Sequence, residues 1–375
     1  MTFDPDALDT LVLKIGTSLL SGRLAFDGHV MESVVKELCL LKQQHDINVL
    51  IVSSGAVGCG MKTLNLTQRP ESLPDKQAVA AVGQATLMHY YETLFMTYGE
   101  GLHTAQVLLT LRDLDQRDSY LNVRNTIRNL FQMKSVIPIV NENDSTAVDQ
   151  LRFGDNDTLS AKIAAKLSAG LLVILSDVDG LYAGNPQKDP EVPHIPVVNE
   201  ITPTIEEYAG GAGTLTGTGG MRTKIEAARI AMAAGVPTII ADGHTPEVVR
   251  NVLSGTARCT LFQPGEAALS HRKRWIAFGR KIAGTIRIDS GACDAILQQG
   301  KSLLAAGVVA TIGTYREGDS VEIQDEEGTP IARALVNYSS EEVHQIMGRK
   351  SHEIIAIVGG KSHFEIVHRD NLVII

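Results

Sequence analysis

Two lysines stand next to glycine-rich segments, where a chain can meet phosphate. Lys14 lies in LVLKIGTSLLSG at the end of an apolar run, with Gly16 two residues further on. Lys224 follows the Gly/Thr stretch of GTLTGTGGMRTKIEAARIA, in the first turns of a predicted helix. Backbone N–H groups without a Cβ in the way, next to an ammonium, make a cradle for a phosphate. A lysine near a helix N-terminus opposes the helix dipole, so an anion is expected to offset Lys224. The plain alternative for each is a solvated lysine on a turn. A third constellation is denser: IVNENDSTAVDQLRFGDNDTLSAKIAAKL places Asn141, Glu142, Asn143 and Asp144 at a strand end and Asp155, Asn156 and Asp157 before a helix. Helix N-capping uses Asp and Asn, but it accounts for one or two of these seven side chains. The others are read as holding a polar ligand.

Weaker signals surround these. In IVSSGAVGCGM a strand runs into small residues from Ser53 to Gly60, which suits either a close ligand or close helix packing. LLVILSDVDGLY ends a strand at Ser176 and Asp177, and its Asp-Gly pair is equally compatible with an ordinary turn. Other chemistries are disfavoured. Gly16 to Gly22 lacks the GxGxxG spacing of a dinucleotide site, and Leu20 stands where a nucleophile elbow needs glycine. The GKS tripeptides at 300–302 and 360–362 have Ala295 and Ile355 in place of the first P-loop glycine, and both read as turns. Cys39, Cys59, Cys259 and Cys293 stand singly, without zinc or disulfide spacing, and Cys59 has no histidine near it in sequence.

These residues need a frame. The runs LVLKI, INVLIVSS, AQVLLT, SVIPIV, LLVILSD, VPTIIAD and TLF alternate with helical patterns, among them one with Val30, Val34, Leu38 and Leu41 on a single stripe. Strands separated by helices predict a mostly parallel sheet with helices on both faces, a three-layer α/β/α sandwich whose ligands sit at the carboxyl ends of the strands. After about Pro264 the pattern changes, and GTIRID, VVATIG, SVEIQD, PIARALV and FEIVHRDNLVII read as strands of a small, mainly β second domain. The expected division is 1–264, a linker at 265–281, and 282–375. With 375 residues, two or three domains are expected. The formal charge of −9 argues against a dedicated DNA binder, and its whole deficit lies before residue 270, since 270–375 carry 13 basic and 13 acidic residues. No apolar run approaches the length of a membrane helix, and the opening MTFDPDALDT has no signal-peptide core, so a cytoplasmic protein is expected.

Taken together, KIGTS, VSSGAVG, NENDSTAV, GDND, LSDVDGLY and GTGGMRTK resemble, in order and approximate spacing, the amino-acid kinase family, and the segment from GTIRID onward resembles a PUA domain. NENDS followed by GDND is similar to the branch that phosphorylates free glutamate. The resemblance implies ATP-dependent phosphorylation of the γ-carboxylate of L-glutamate, the first step of proline synthesis, with Mg²⁺ bridging the phosphates. It implies that Lys14 and Lys224 straddle the transferring phosphoryl group, that Asp157 aligns the two lysines, and that Gly16 and Gly55 offer backbone N–H groups. ATP-binding positions would be Lys14, Gly16, Ser176, Asp177 and the segment Thr218, Gly219, Gly220, Met221, Arg222, Thr223 and Lys224. Substrate-binding positions would be Ser54, Gly55, Asn141, Asp144, Asp155 and Asn156, with Asp144 the candidate for the substrate ammonium. A free glutamate titrates near about 4.3, so its carboxylate is already ionised and needs no base. The resemblance further implies inhibition by proline, a homo-oligomer, and hand-over of the acyl phosphate to glutamate-5-semialdehyde dehydrogenase. Arg152 stands where relatives carry Lys, which leaves its role open. The rival readings are a kinase acting on N-acetylglutamate, aspartate, carbamate or a nucleotide, and an RNA-binding protein acting through the tail.

Overall fold

The computed structural model describes residues 2–20, 27–147, 155–186, 188–210, 220–265, 282–349 and 365–375. The chain divides into two compact units, Met1–Ala268 and Leu269–Ile375. The expected linker lies almost wholly outside the described residues, as do the hairpin segment 148–154 with Arg152, the loop positions Thr218 and Gly219, and the second GKS tripeptide.

Strands of the first unit are β1 (Thr10–Ile15), β2 (Asn48–Val52), β3 (His103–Leu109), β4 (Val136–Glu142), β5 (Leu171–Ser176), the short β6 (Leu181–Tyr182), β7 (His194–Ile195) and β8 (Val197–Val198), then β9 (Thr238–Asp242) and β10 (Cys259–Phe262). Among the described residues, eight of them form one sheet in the order β3-β4-β2-β1-β5-β9-β10-β8. Every pairing from β3 to β9 is parallel. β10 is antiparallel to β9 and carries the two-residue β8 parallel to itself, an edge the sequence pattern does not reveal. All six positions of β1 are buried, as a central strand covered on both faces requires.

The helices are α1 (His29–Gln44), α2 (Ala56–Thr63), α3 (Leu73–Tyr98), α4 (Leu111–Asp115), α5 (Arg117–Gln132), α6 (Asp155–Leu167), α7 (Pro203–Ala209), α8 (Met221–Ala233) and α9 (Val248–Ser254). On α1, Val34, Leu38 and Leu41 are buried as the stripe predicts, with Val30 at its margin. Leu13, Ile51, Ile139, Val173 and Ile239 share one core with residues of α1, α3 and α9, which therefore cover one face of the sheet. Successive strand residues point to opposite faces, so Lys14 belongs to the other face, where α6 lies against β1 and packs on α8. The result is the predicted three-layer arrangement. α3 starts at Ser72, whose hydroxyl accepts the Asp75 N–H, with proline in its first turn.

In the second unit, β11 (Gly284–Ile288), β13 (Val308–Gly313), β14 (Ser320–Gln324), β15 (Pro330–Leu335) and β17 (Leu372–Ile374) form a sheet in the order β13-β11-β14-β15-β17, while β12 (Leu303–Leu304) pairs with β16 (Glu365–Val367). Ile286, Ile288, Val321, Ile323, Ala332 and Tyr338 belong to its own core. The helix Ser340–Ile346 opens with a Ser339/Glu342 capping box. The predicted strand FEIVHRDNLVII is two strands in different sheets, because Arg369–Asn371 form a tight 3₁₀ turn between them. The first GKS tripeptide follows a helix end, with Gly300 at φ +58° in a turn.

Candidate active site

Lys14 is the penultimate residue of β1, in register with Val52 of β2 and Ile174 of β5, and is only 5% exposed. An isolated ammonium there would be costly, so it must be paired. Its partner is Asp157, fully buried in the first turn of α6, with Lys14 Nζ 2.5 Å from Asp157 Oδ1. The other oxygen of the same carboxylate accepts the Thr223 hydroxyl at 2.7 Å and lies 3.5 Å from Lys224 Nζ. Two lysines 210 residues apart in sequence thus converge on one carboxylate, because α6 lies against β1 and α8 packs on α6. The anion expected to offset Lys224 at its helix start is supplied by the protein itself.

The electrostatics follow from this packing. Burial pushes the Asp157 carboxyl up, but the two lysines, with hydrogen bonds from Lys14 and Thr223, outweigh it and hold the group below the usual carboxylate range. Burial dominates for Lys224, whose pKa falls below the ordinary lysine value despite the pull of Asp157; Lys14 lowers it further. Two buried cations share the Asp157 carboxylate, with the exposed Asp177 also acting on Lys224, and two ammonium groups held this close together favour an incoming polyanion.

Gly16 follows directly. Its N–H is donated to the Leu175 carbonyl at 3.1 Å, joining β1 to β5, so the backbone donor expected there is already in use. What Gly16 offers is space, since a Cβ would sit 3.1 Å from the Leu175 carbonyl oxygen, tighter than an ordinary contact. Ser176 closes β5, its hydroxyl donating to Asp177 at 3.0 Å, and Asp177 is exposed. Gly220 immediately precedes α8, whose first turn holds Met221, Arg222 and Thr223, with Arg222 exposed. Beside Asp177, a cavity of about 360 Å³ is lined by Asp179, Tyr182, Asp242 and Arg258 among others. Tyr182 donates to Asp179 at 2.8 Å and Arg258 Nε lies 3.1 Å from Asp179, which joins the three into one rim. Sequence reading passed over Tyr182 and Arg258; the aromatic after the Asp-Gly turn was the available signal.

On the opposite side of Lys14, at the ends of β2 and β4, lies an amide-rich corner. Asn156 Nδ2 is 2.8 Å from the Ser53 carbonyl, 3.0 Å from Ser54 Oγ and 3.1 Å from Asn141 Oδ1. Gly55, at φ +97°, turns the chain from β2 into α2. Glycine at 60 serves packing: a Cβ there would lie 1.9 Å from the Val79 carbonyl oxygen of α3, and one on Gly83 would lie 1.8 Å from Ala56 O. Asp144, half-buried, opens the turn after β4. Asp155 is the first residue of α6, and its side chain lies outside the described set.

The sequence profile of the amino acid kinase family matches residues 9–242, and that of the PUA domain matches residues 284–358. The glutamate 5-kinase of Caldanaerobacter subterraneus subsp. tengcongensis is 45% identical over 368 residues, covering 97% of each chain. The glutamate 5-kinase of Trichormus variabilis is 48% identical over 371 residues, covering 97% of this chain and 99% of its own. Among solved structures, UMP kinase from Bacillus anthracis superposes with a TM-score of 0.46 at 12% identity, covering 70% of this chain and 98% of its own. With a family profile across more than half of its length and relatives this similar along nearly all of it, the chain belongs to the amino acid kinase family and carries a PUA domain behind its kinase unit.

Proposed function

We propose that this protein transfers the γ-phosphoryl group of ATP to the γ-carboxylate of L-glutamate, giving L-glutamyl 5-phosphate. The observation that carries the reading is the pair of buried ammonium groups held on Asp157, with an amide-rich corner on the far side of Lys14. Lys14 and Lys224 bind the phosphoryl group being transferred and neutralise the charge that develops on it. Asp157 sets their positions, and with its pKa lowered by its two cations it is a poor proton acceptor and not the base. The attacking carboxylate carries no proton to remove. Ser54, Asn141, Asp144 and Asn156 hold the amino-acid end, with Asp144 facing the ammonium.

The nucleoside half of ATP takes the cavity beside Asp177, large enough for a ligand of that class and furnished with an aromatic ring, carboxylates and a guanidinium. Among the described residues no group of three His, Cys, Asp or Glu side chains could hold a metal ion. Mg²⁺ would arrive on the triphosphate oxygens and neutralise part of their charge.

Residues 1–264 are taken as the kinase domain, 265–281 as a linker and 282–375 as the PUA-like domain. The same reading takes L-proline as feedback inhibitor at the amino-acid corner, a homo-oligomer as the working assembly, the cytoplasm as its place, and glutamate-5-semialdehyde dehydrogenase as recipient of the labile acyl phosphate. Among the described residues no helix is long and apolar enough to cross a membrane. The test is a substrate panel with ATP and Mg²⁺, trapping acyl phosphate as hydroxamate. Hydroxamate from glutamate but not from N-acetylglutamate or aspartate is expected; hydroxamate from N-acetylglutamate alone overturns the substrate assignment.

A further inference from the structure

The amide corner extends beyond the recognised motifs to Gln84 of α3, and its hydrogen bonds have a fixed polarity. Terminal amides are ambiguous until a neighbour of known role anchors them. Here two backbone groups do so. The Ser53 carbonyl can only accept, so Asn156 must present its NH₂ at 2.8 Å. The Glu142 N–H can only donate, so Asn141 must present Oδ1, at 2.9 Å, and that oxygen also accepts from Asn156 Nδ2 at 3.1 Å. Asn141 Nδ2 is then forced to the opposite side, where Gln84 Oε1 accepts it at 2.8 Å. Turning any one amide would set donor against donor or acceptor against acceptor. Asn156 Oδ1 is left buried without a hydrogen-bond partner among the described residues. A buried acceptor without a partner is uncommon and calls for one.

The geometry points to Gln84 as a positioning residue for the substrate: by accepting from Asn141 it reinforces the backbone-set orientation of the Asn141–Asn156 relay, which leaves Asn156 Oδ1 as an acceptor for the ammonium group of an amino acid. Its place on α3 is fixed next door by Gly83, whose missing Cβ lets α3 lie against the backbone of α2. An ammonium offers only donors, so an Asn156 turned the other way would repel it. This inference rests on the reading of the corner as an amino-acid site.

The experiment compares Gln84→Met and Gln84→Glu in the full-length protein by steady-state kinetics, with melting temperature as the folding control. Methionine matches glutamine in length and helix propensity but cannot accept the Asn141 amide. Glutamate accepts it and introduces a charge. Gln84→Met is expected to raise the KM for glutamate about five-fold or more, with the KM for ATP unchanged within about two-fold, while Gln84→Glu stays close to wild type. A purely space-filling role predicts the reverse order, because methionine would fit and a half-buried carboxylate would not. Wild-type glutamate KM in Gln84→Met, or a Gln84→Glu protein at least as impaired, overturns the inference. In an Asn141→Ala background the Gln84→Met change should add nothing; additive effects count equally against it. These outcomes are separate from failure of the functional reading, which would appear as wild-type protein inactive on glutamate.

Discussion

The two ends of the candidate site are built on opposite physical plans. At the phosphate end three full charges, on Lys14, Lys224 and Asp157, are withdrawn almost completely from water, with exposures of 5%, 6% and 0%. At the proposed amino-acid end Ser54, Asn141, Asn156 and Gln84 are neutral and joined in a relay anchored on backbone, with Asn156 Oδ1 and Gln84 Nε2 buried and without a hydrogen-bond partner among the described residues. Charge fixed in advance stabilises a transition state because no reorganisation is left to do when the charge develops. Its cost falls on the fold: the depressed pKa of Lys224 means that the folded protein disfavours the very ammonium the chemistry requires. A neutral relay costs little and supplies discrimination, since donor and acceptor polarity selects among ligands of similar size. Stability and activity should therefore oppose each other at the buried lysines and fall together at Asp157 and in the relay.

The sharpest way to break that contrast is to remove a cation. Lys14→Ala and Lys224→Met should each lower kcat by about 100-fold or more, with the KM for glutamate little changed. Lys224→Met should melt at or above the wild-type temperature, because it removes an ammonium the fold destabilises. An unimpaired kcat in either variant, or a melting point well below wild type for Lys224→Met, contradicts the plan. The opposite result is expected for Asp157→Asn, which strands two buried ammonium groups and should cost about 3 kcal/mol or more of stability as well as activity. The Asp157 carboxyl is held below the usual carboxylate range, so its contribution is present above the unfolded value of about 3.9 and fades as pH drops further. Melting curves from pH 6 down to pH 3 should show a steeper acid loss for wild type than for Asp157→Asn; parallel curves would mean that the ion cluster contributes nothing to stability.

How far all this was legible in the sequence depends on the range of the interaction. The central strands and the flanking helices were legible because burial writes itself locally, as in LVLKI and the Val34, Leu38, Leu41 stripe. Lys14 and Lys224 stood out as candidate phosphate contacts, yet their meeting on Asp157 depends on α6 packing against α8, which no local pattern encodes. The donor role expected of the Gly16 N–H failed for a similar reason: whether a strand-end amide is available depends on the neighbouring strand, and here Leu175 takes it. Gly60 looked equally suited to ligand approach and to packing, and only the position of Val79 on α3 decides for packing. Gln84 carries no local signal, being one polar residue in a long helix, and only the fold sets it beside Asn141. In the second unit the break inside FEIVHRDNLVII was missed because RDN carries neither glycine nor proline, the usual punctuation of a turn.

A smaller effect than at the ion cluster should come from Asp144, a carboxylate assigned to the otherwise neutral end. It is half-buried in the turn after β4, where solvent weakens any charge it presents. Its contact with a substrate ammonium would be a charge-assisted hydrogen bond at the lower end of that class, so Asp144→Ala should raise the KM for glutamate about ten-fold, leaving kcat and the KM for ATP within about two-fold. Because the lost interaction is with the ammonium, the variant should lose less against N-acetylglutamate than against glutamate, narrowing the preference between them. Saturation by glutamate at wild-type concentrations would remove Asp144 from the amino-acid end. A fall in kcat with KM unchanged would instead move it to the phosphate end, and the division between a charged pole and a neutral one would have to be redrawn.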